Sequence, residues 1–280
     1  MKAAILVVLL AVMVIILAYD LDLKHDKHKF VNELMYFPSG NALHTISLGF
    51  YTLFADIVWL RFIQYYGEHR LTDVKYELMY HILDILTSLD AHFSYAYTLG
   101  GLMLTHDAND PARAKILLKK GMYANPDDWH YPFMYAFIHY TFLKEYRTAQ
   151  VYFRISSLKP GAPDMAKRWA AFVAHLKIHD LETAMLLWTD LFNNTDNPQE
   201  KEIALNYIRR LRMEFDLKFL NEKVQEFYVL YGFMPNRIAE LLEVGILDSI
   251  PPEPHGERYY IKKGRVYSTL ERGKKKLDSQ

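Results

Sequence analysis

The sequence predicts an all-α chain. It reads as a superhelix of four to five helical hairpins, preceded by an apolar transmembrane helix and closed by a small cap of one short helix plus a β-hairpin. Three observations predict this. Among 280 residues there are only 12 Gly and 11 Pro, against 21 Tyr and 16 Phe; that balance suits helices better than a strand-and-turn architecture. Alanines recur at a constant spacing of 35 residues, at Ala114, Ala149 and Ala184. Residues 3–18 contain nothing charged or polar.

Composition also bounds function. Acidic and basic residues number 33 each, for a formal net charge of zero, so there is no global electrostatic case for nucleic acid as a partner. The chain has no cysteine, which excludes disulfides, thiolate zinc sites, iron–sulfur clusters and covalent haem attachment. No cofactor is expected. The length allows one large domain or two smaller ones.

The first element is "AAILVVLLAVMVIILAY", residues 3–19, at the lower limit for a helix that spans a bilayer. It ends in Leu17-Ala18-Tyr19-Asp20, a poor small-x-small cleavage site, which favours an uncleaved signal anchor over a cleaved peptide. A buried core helix would keep a polar face. Lys2 precedes the run, and Lys24, Lys27 and Lys29 follow it among Asp20, Asp22 and Asp26. A literal Lys/Arg count puts the body in the cytoplasm, whereas a short Lys-bearing tail is the usual start of an exported segment. The expectation is a single-pass membrane protein with an extracytoplasmic, periplasmic body. Residues 1–29 form the anchor and its linker, 30–231 the repeat domain and 232–280 the cap.

Next, "ISLGFYTLFADIVWLRFIQYYGEHR" and "YELMYHILDILTSLDAHF" form a long helical hairpin. Asp56 and Arg61 stand in its most apolar stretch, where charges need partners or water. They read as an internal ion pair or a solvent-facing polar stripe, or else as a contact to a partner or a neighbouring membrane helix.

The array proper follows. "KEYRTA", ending at Ala149, is nearly repeated in "IHDLETA", ending at Ala184. Four residues beyond each of the three alanines stand Leu118, Phe153 and Trp188; seven beyond stand Gly121, Ser156 and Leu191. Pro126, Pro160 and Pro198 follow, as helix stops. A small side chain is needed where two helices of a hairpin cross closely, and a large one must fill the gap to the next hairpin. The acid before each crossing, Glu145 or Asp180, suits the positive N-terminal end of the second helix. One turn recurs because one hairpin recurs. After the array, "NPQEKEIALNYIRRLRMEF" and "DLKFLNEKVQEFYVLYG" read as a further hairpin, with Leu220 near the alanine position.

These features resemble the tetratricopeptide repeat family over roughly residues 45–230. That family has a period near 34 residues, a small residue at the helix crossing and a proline closing each unit. The matching residues are Leu99-Gly100, Ala114, Gly121 and Pro126; then Glu145-Tyr146, Ala149, Phe153, Ser156 and Pro160; then Asp180-Leu181, Ala184 and Trp188. The repeats are degenerate: the Leu-Gly pair becomes Ala136-Phe137 and Ala171-Phe172, and two extra residues lie around His106–Asp110. The resemblance implies an inner face lined by the first helix of each hairpin. Its groove positions carry over to Tyr97, Thr105, Tyr131, Met134, Ile138, Thr141, Trp169, Val173 and Lys177, some of them serving as inter-repeat core. Aromatic and Met side chains suit capture of a peptide or helix.

The tail changes character after Gly232. Pro235-Asn236 opens a short amphipathic helix that ends near Gly245. Tyr259–Ile261 and Arg265–Tyr267 flank a Lys-Lys-Gly turn and read as a β-hairpin. "LERGKKKLDSQ" reads as a disordered basic end.

Chemical motifs are sparse. Gly100-Gly101 lacks a phosphate-loop pattern, and no nucleophile triad or dinucleotide fingerprint is present. His175 and His179 could ligate a metal, but no acidic third ligand is spaced with them. "HDAND" at 106–110 lacks the Gly and distal Glu of a calcium loop. The expectation is therefore not an enzyme. It is a membrane-anchored interaction protein, a scaffold, assembly factor or accessory subunit of a bacterial-type envelope complex, whose partners are membrane proteins or their extracytoplasmic segments. A structural subunit buried in a larger complex, with no free groove, is one alternative. An enzyme or small-ligand protein with a pocket near Asp56 and Arg61 is the other.

Overall fold

The computed structural model describes residues 12–16, 43 and 45–270 and is 70% helical. The chain divides into two compact units, Met1–Pro126 and Asp127–Gln280. Of the expected anchor, residues 12–16 are helical and exposed; the rest lies outside the described residues, as does the basic end after Leu270. Among the described residues no helix is long and apolar enough to cross a membrane.

The first unit holds α1 (Tyr51–Leu71), α2 (Met79–Leu89), α3 (Ser94–His106) and α4 (Pro111–Ala124). α1 packs on α2, α2 on α3 and α3 on α4. α1 buries Ala55, Val58, Phe62, Tyr65 and His69, which recur at helical spacing on one face. The hydroxyl of Tyr65 accepts a hydrogen bond from the Leu78 amide at 3.0 Å, tying α1 to the start of α2. Burial pushes that phenol up to about 12. Gly100 belongs to the family-like Leu-Gly pair, and its reason is steric. A Cβ there would come within 2.8 Å of the Leu83 side chain, so glycine lets α2 and α3 approach closely.

The second unit holds α5 (His130–Ile138), α6 (Tyr146–Ser157), α7 (Asp164–Val173), α8 (Leu181–Asn194), α9 (Pro198–Tyr231), α10 (Ala239–Glu243), β1 (Tyr259–Lys262) and β2 (Arg265–Ser268). α5 and α7 each run on into one π-helical turn, His139–Leu143 and Ala174–Ile178.

The turn repeated in the sequence is repeated in the backbone. Five residues before each periodic alanine a left-handed residue reverses the chain: Asn109, Lys144 and His179, at φ 51°, 58° and 60°. The amide of the following acid bonds the carbonyl six residues back: Asp110 to Leu104, Glu145 to His139 and Asp180 to Ala174, at 2.8–3.0 Å. This is a helix C-terminus closed by a left-handed residue. The acid then opens the next helix. The Asp110 and Asp180 side chains accept from the Arg113 and Thr183 amides. Glu145 is one methylene longer and does not cap; it binds the buried His139 ring instead, at 2.8 Å. Asp180→Ala should therefore destabilise the start of α8 by about 1 kcal/mol, measured as faster amide exchange at residues 182–184. Glu145→Gln should leave exchange at the start of α6 unchanged.

Each periodic hairpin is also tied at its open end. Asn125 Nδ2 donates to the Ala91 carbonyl at 2.7 Å, Ser156 Oγ to the Trp129 carbonyl at 2.8 Å, and Thr195 Oγ1 to the Asp164 carboxylate. The end of the second helix thus meets the start of the first, so each pair is antiparallel. Ala114, Ala149 and Ala184 are fully buried, as are Leu118, Phe153 and Trp188.

Two expectations are corrected. Residues 198–231 are not a hairpin but one uninterrupted helix of 34 residues. The segment contains no glycine, and its only proline is Pro198 at the first position, where proline starts a helix rather than stopping one. No left-handed residue reverses the chain until Gly232. Leu220 is buried, but against the C-terminal cap rather than a second helix of the same pair.

In the cap, β1 and β2 pair antiparallel from Tyr259↔Ser268 to Lys262↔Arg265. The two turn residues, Lys263 and Gly264, both have positive φ, the backbone of a tight primed hairpin turn. Val266, Leu241 and Leu247 pack on Val224 and Phe227 of α9.

Candidate functional site

A cluster of partly exposed aromatic side chains lies in the second unit, on α5 to α9. Trp169 is its hub. Its ring stacks on Phe153 at 5.4 Å and meets Tyr140 and Phe172 edge-on at 5.2 and 5.8 Å. The Lys177 ammonium lies 5.6 Å from the centre of the Tyr146 ring and 5.9 Å from that of Tyr140, within cation–π range.

Beside this hub a cavity of about 240 Å³ opens between α7, α8 and α9, lined by Arg168, Trp169, Phe172, Trp188, Ile203 and Tyr207. Its back wall is set by the fold. Trp188 is fully buried and stacks on Tyr207 at 4.2 Å with the rings 2° from parallel. Its rim is charged: Arg168 donates to Glu200 at 2.7 Å, bridging α7 to α9.

Further along α9 is a second recess of about 420 Å³, lined by Asn206, Tyr207, Arg210, Met213, Glu214, His255 and Leu270. His175 reaches Glu214 from the last turn after α7. Its ring is buried, and Nε2 lies 3.0 Å from each carboxylate oxygen. Arg210 Nε donates to the same carboxylate at 3.3 Å. Burial pushes the Glu214 carboxyl up, but the hydrogen bonds and charges of His175 and Arg210 outweigh it and hold the group below the usual range. Tyr207 lines both recesses.

The structure sorts the sequence candidates. In the first unit Tyr97 and Thr105 are buried. Tyr97 donates to the Thr87 carbonyl, and Thr105 bonds its own helix. In the second, Tyr131, Ile138 and Val173 are buried. These five are core, because stepping by four along a helix of 3.6 residues per turn drifts round to the packed face. Met134, Thr141 and Trp169 are half-buried and Lys177 is exposed; of all nine, Trp169 lines the slot. Arg168, Phe172, Tyr207, Arg210 and Glu214 were missed. The Arg168-Trp169 pair with Phe172 one turn on was the legible signal; the α9 side was hidden by the misplaced hairpin.

Asp56 and Arg61 are both exposed on α1. His175 and His179 do not converge, since His179 is the exposed left-handed turn residue. The "HDAND" turn is used for folding: Asp107 accepts from Tyr66 at 3.0 Å and Asp110 caps α4. Among the described residues no three His, Asp or Glu side chains gather as for a metal ion. Set against family models, characterised proteins and solved structures, the chain matches none of them.

Proposed function

We propose that this chain is a membrane-anchored tetratricopeptide-like interaction protein, and that the groove on α7–α9 captures a segment of a protein partner. The observation that carries this is that two recesses share Tyr207 as a wall. A slot with an aromatic back wall accepts one large apolar side chain. A neighbouring recess with Arg210, Glu214 and His255 orients the polar backbone or charges beside it. Hot spots of this kind join aromatic anchors to arginine. The repeat reading is supported by the period of 35 residues, the three equivalent left-handed turns and the three end-to-end ties. The anchor reading is supported by residues 3–19, whose apolar length suits a bilayer. A periplasmic body and a role as scaffold, assembly factor or accessory subunit follow from that placement. A stack extending from the bilayer meets membrane proteins first.

The test is affinity purification of the intact chain from detergent extract, comparing wild type with Trp169→Ala and Arg210→Ala. Arg210 is exposed and Trp169 half-buried, so circular dichroism and thermal melting of each variant separate loss of binding from loss of fold. One stoichiometric partner that survives washing with wild type and is reduced at least tenfold, about 1.4 kcal/mol, with either variant is the expected result. A partner retained by both variants places the contact elsewhere.

A further inference from the structure

α1 is apolar on both faces. Opposite its packed side, Phe50, Leu53, Ile57, Leu60 and Ile63 are 43–65% exposed. Their spacing of three, four, three and three residues runs them along one side of the helix. At about 100° per residue Arg61 lies just beyond one margin of this stripe, while Asp56 falls between Leu60 and Ile63 and Gln64 between Leu53 and Ile57, so the stripe is mainly rather than wholly apolar. A first helix that ended a helical stack in water would carry a polar outer face, and this one does not.

The same unit shows what kind of medium the chain meets. Residues 12–16 are helical, and all five side chains, Val12 through Ile16, are large, apolar and 46–67% exposed. Five consecutive helical residues make more than one full turn, so these side chains point in every direction round the axis. One protein surface covers one side of a helix; hydrocarbon surrounds it on all sides. The 33 residues from 17 to 49 tether α1 to that segment. Fully extended, they would reach about 110 Å, so α1 stays within easy reach of whatever holds the segment. Among the described residues no helix is long and apolar enough to cross a membrane.

We propose that the outer face of α1 is a second membrane contact, lying in the lipid interface with its apolar stripe turned into the acyl boundary, Arg61 at an aqueous margin and Asp56 held at headgroup depth beside Ile63. An interfacial helix of this kind buries its apolar face about 5–10 Å deep. Long side chains at the margins keep their charged heads in water. The proposal rests on the anchored reading for the delivery of α1 to the bilayer. It goes beyond that reading in fixing which face of the body meets lipid.

The chain has no cysteine, so single-site labels are clean. The test reconstitutes the full chain in vesicles of phosphatidylcholine and phosphatidylglycerol, with nitroxide on Leu53→Cys, Leu60→Cys, Val14→Cys or, as a water-facing control, Tyr123→Cys. Collision with oxygen and with a water-soluble nickel chelate is then measured. The expected result is that Leu53→Cys and Leu60→Cys lose broadening by nickel and gain broadening by oxygen, while Tyr123→Cys stays accessible to nickel. Nickel access at Leu53→Cys and Leu60→Cys overturns the proposal. So does shielding from both reagents, which would mean that protein, a second copy or a partner, covers the stripe. Val14→Cys reads the anchor separately. A lipid signature there with a wet α1 leaves the anchor standing and removes this inference; a wet Val14→Cys beside a lipid-facing α1 does the reverse.

Discussion

Replacing Trp188 by alanine will cost about 4 kcal/mol in the second unit, near the upper end for large-to-small core substitutions. The side chain is fully exposed to its neighbours and closed to water. It packs among Ala171, Ala174, Ala184 and Ala204, whose methyl groups cannot swing into the space it would vacate, beside Leu191 and Tyr207. Most of the cost is therefore lost contact and a residual cavity, with little relaxation to offset it. Trp188→Phe separates packing from polarity. The indole Nε1 has no hydrogen-bond acceptor, so phenylalanine forfeits no bond and removes a buried unpaired donor. It should recover most of the loss. Amide exchange in α7–α9 under mild denaturant is the measurement. Equal destabilisation by both substitutions would mean that the indole donor matters after all.

The second large effect is expected at Glu253, in the "IPPEPHGERYY" segment before the hairpin. Its side chain is completely buried and its carboxylate gathers four donors. They are the amides of His255 at 2.7 Å and Glu257 at 3.0 Å, Ser268 Oγ at 3.2 Å and the His255 ring at 3.3 Å. The cap is organised round this one acceptor, which ties the loop to β2. Glu253→Ala strands the donors, and a loss of about 3 kcal/mol in cap stability follows from the cost of unmet buried hydrogen bonds. The effect depends on pH. Burial raises the carboxyl, but the His255 and Glu257 amides, the His255 ring and Ser268 together bring it below its ordinary 4.5. A depressed carboxyl binds its proton more readily in the unfolded chain. Its contribution is thus complete above that ordinary value and disappears as pH falls through the lower folded value. Exchange protection of residues 257–269 should fall across that acid window in wild type. It should be weaker and flatter with pH in Glu253→Gln. A pH profile in Glu253→Gln that tracks wild type would exclude the carboxylate as its source.

Much of the repeat was legible because its determinants are local. The small residue at 114, 149 and 184, the large one four positions on and the acid four positions before all act within one turn or one helix crossing. So does the Lys263-Gly264 turn of the hairpin. The candidate groove was less legible. Trp169 could be named from its neighbourhood, but its partners Trp188 and Tyr207 stand 19 and 38 residues away. Nothing in local patterning says which face of α8 and which of α9 meet there. Tyr131 and Val173 look like groove residues in sequence and are core in the structure, since an apolar side chain reads the same on either face of a helix.

The sequence by itself determined that the chain is helical, that three antiparallel hairpins recur at a period of 35, where each reverses, and that a β-hairpin closes the tail. These follow from short-range sterics and capping, which depend on neighbours a few residues apart. Only the tertiary structure decided that residues 198–231 run as one helix, that Glu253 is a buried hub, that α1 keeps a mainly apolar outer face and that two recesses meet Tyr207. These depend on which surfaces meet across long stretches of chain, and burial of apolar area is indifferent to where in the sequence its two sides come from.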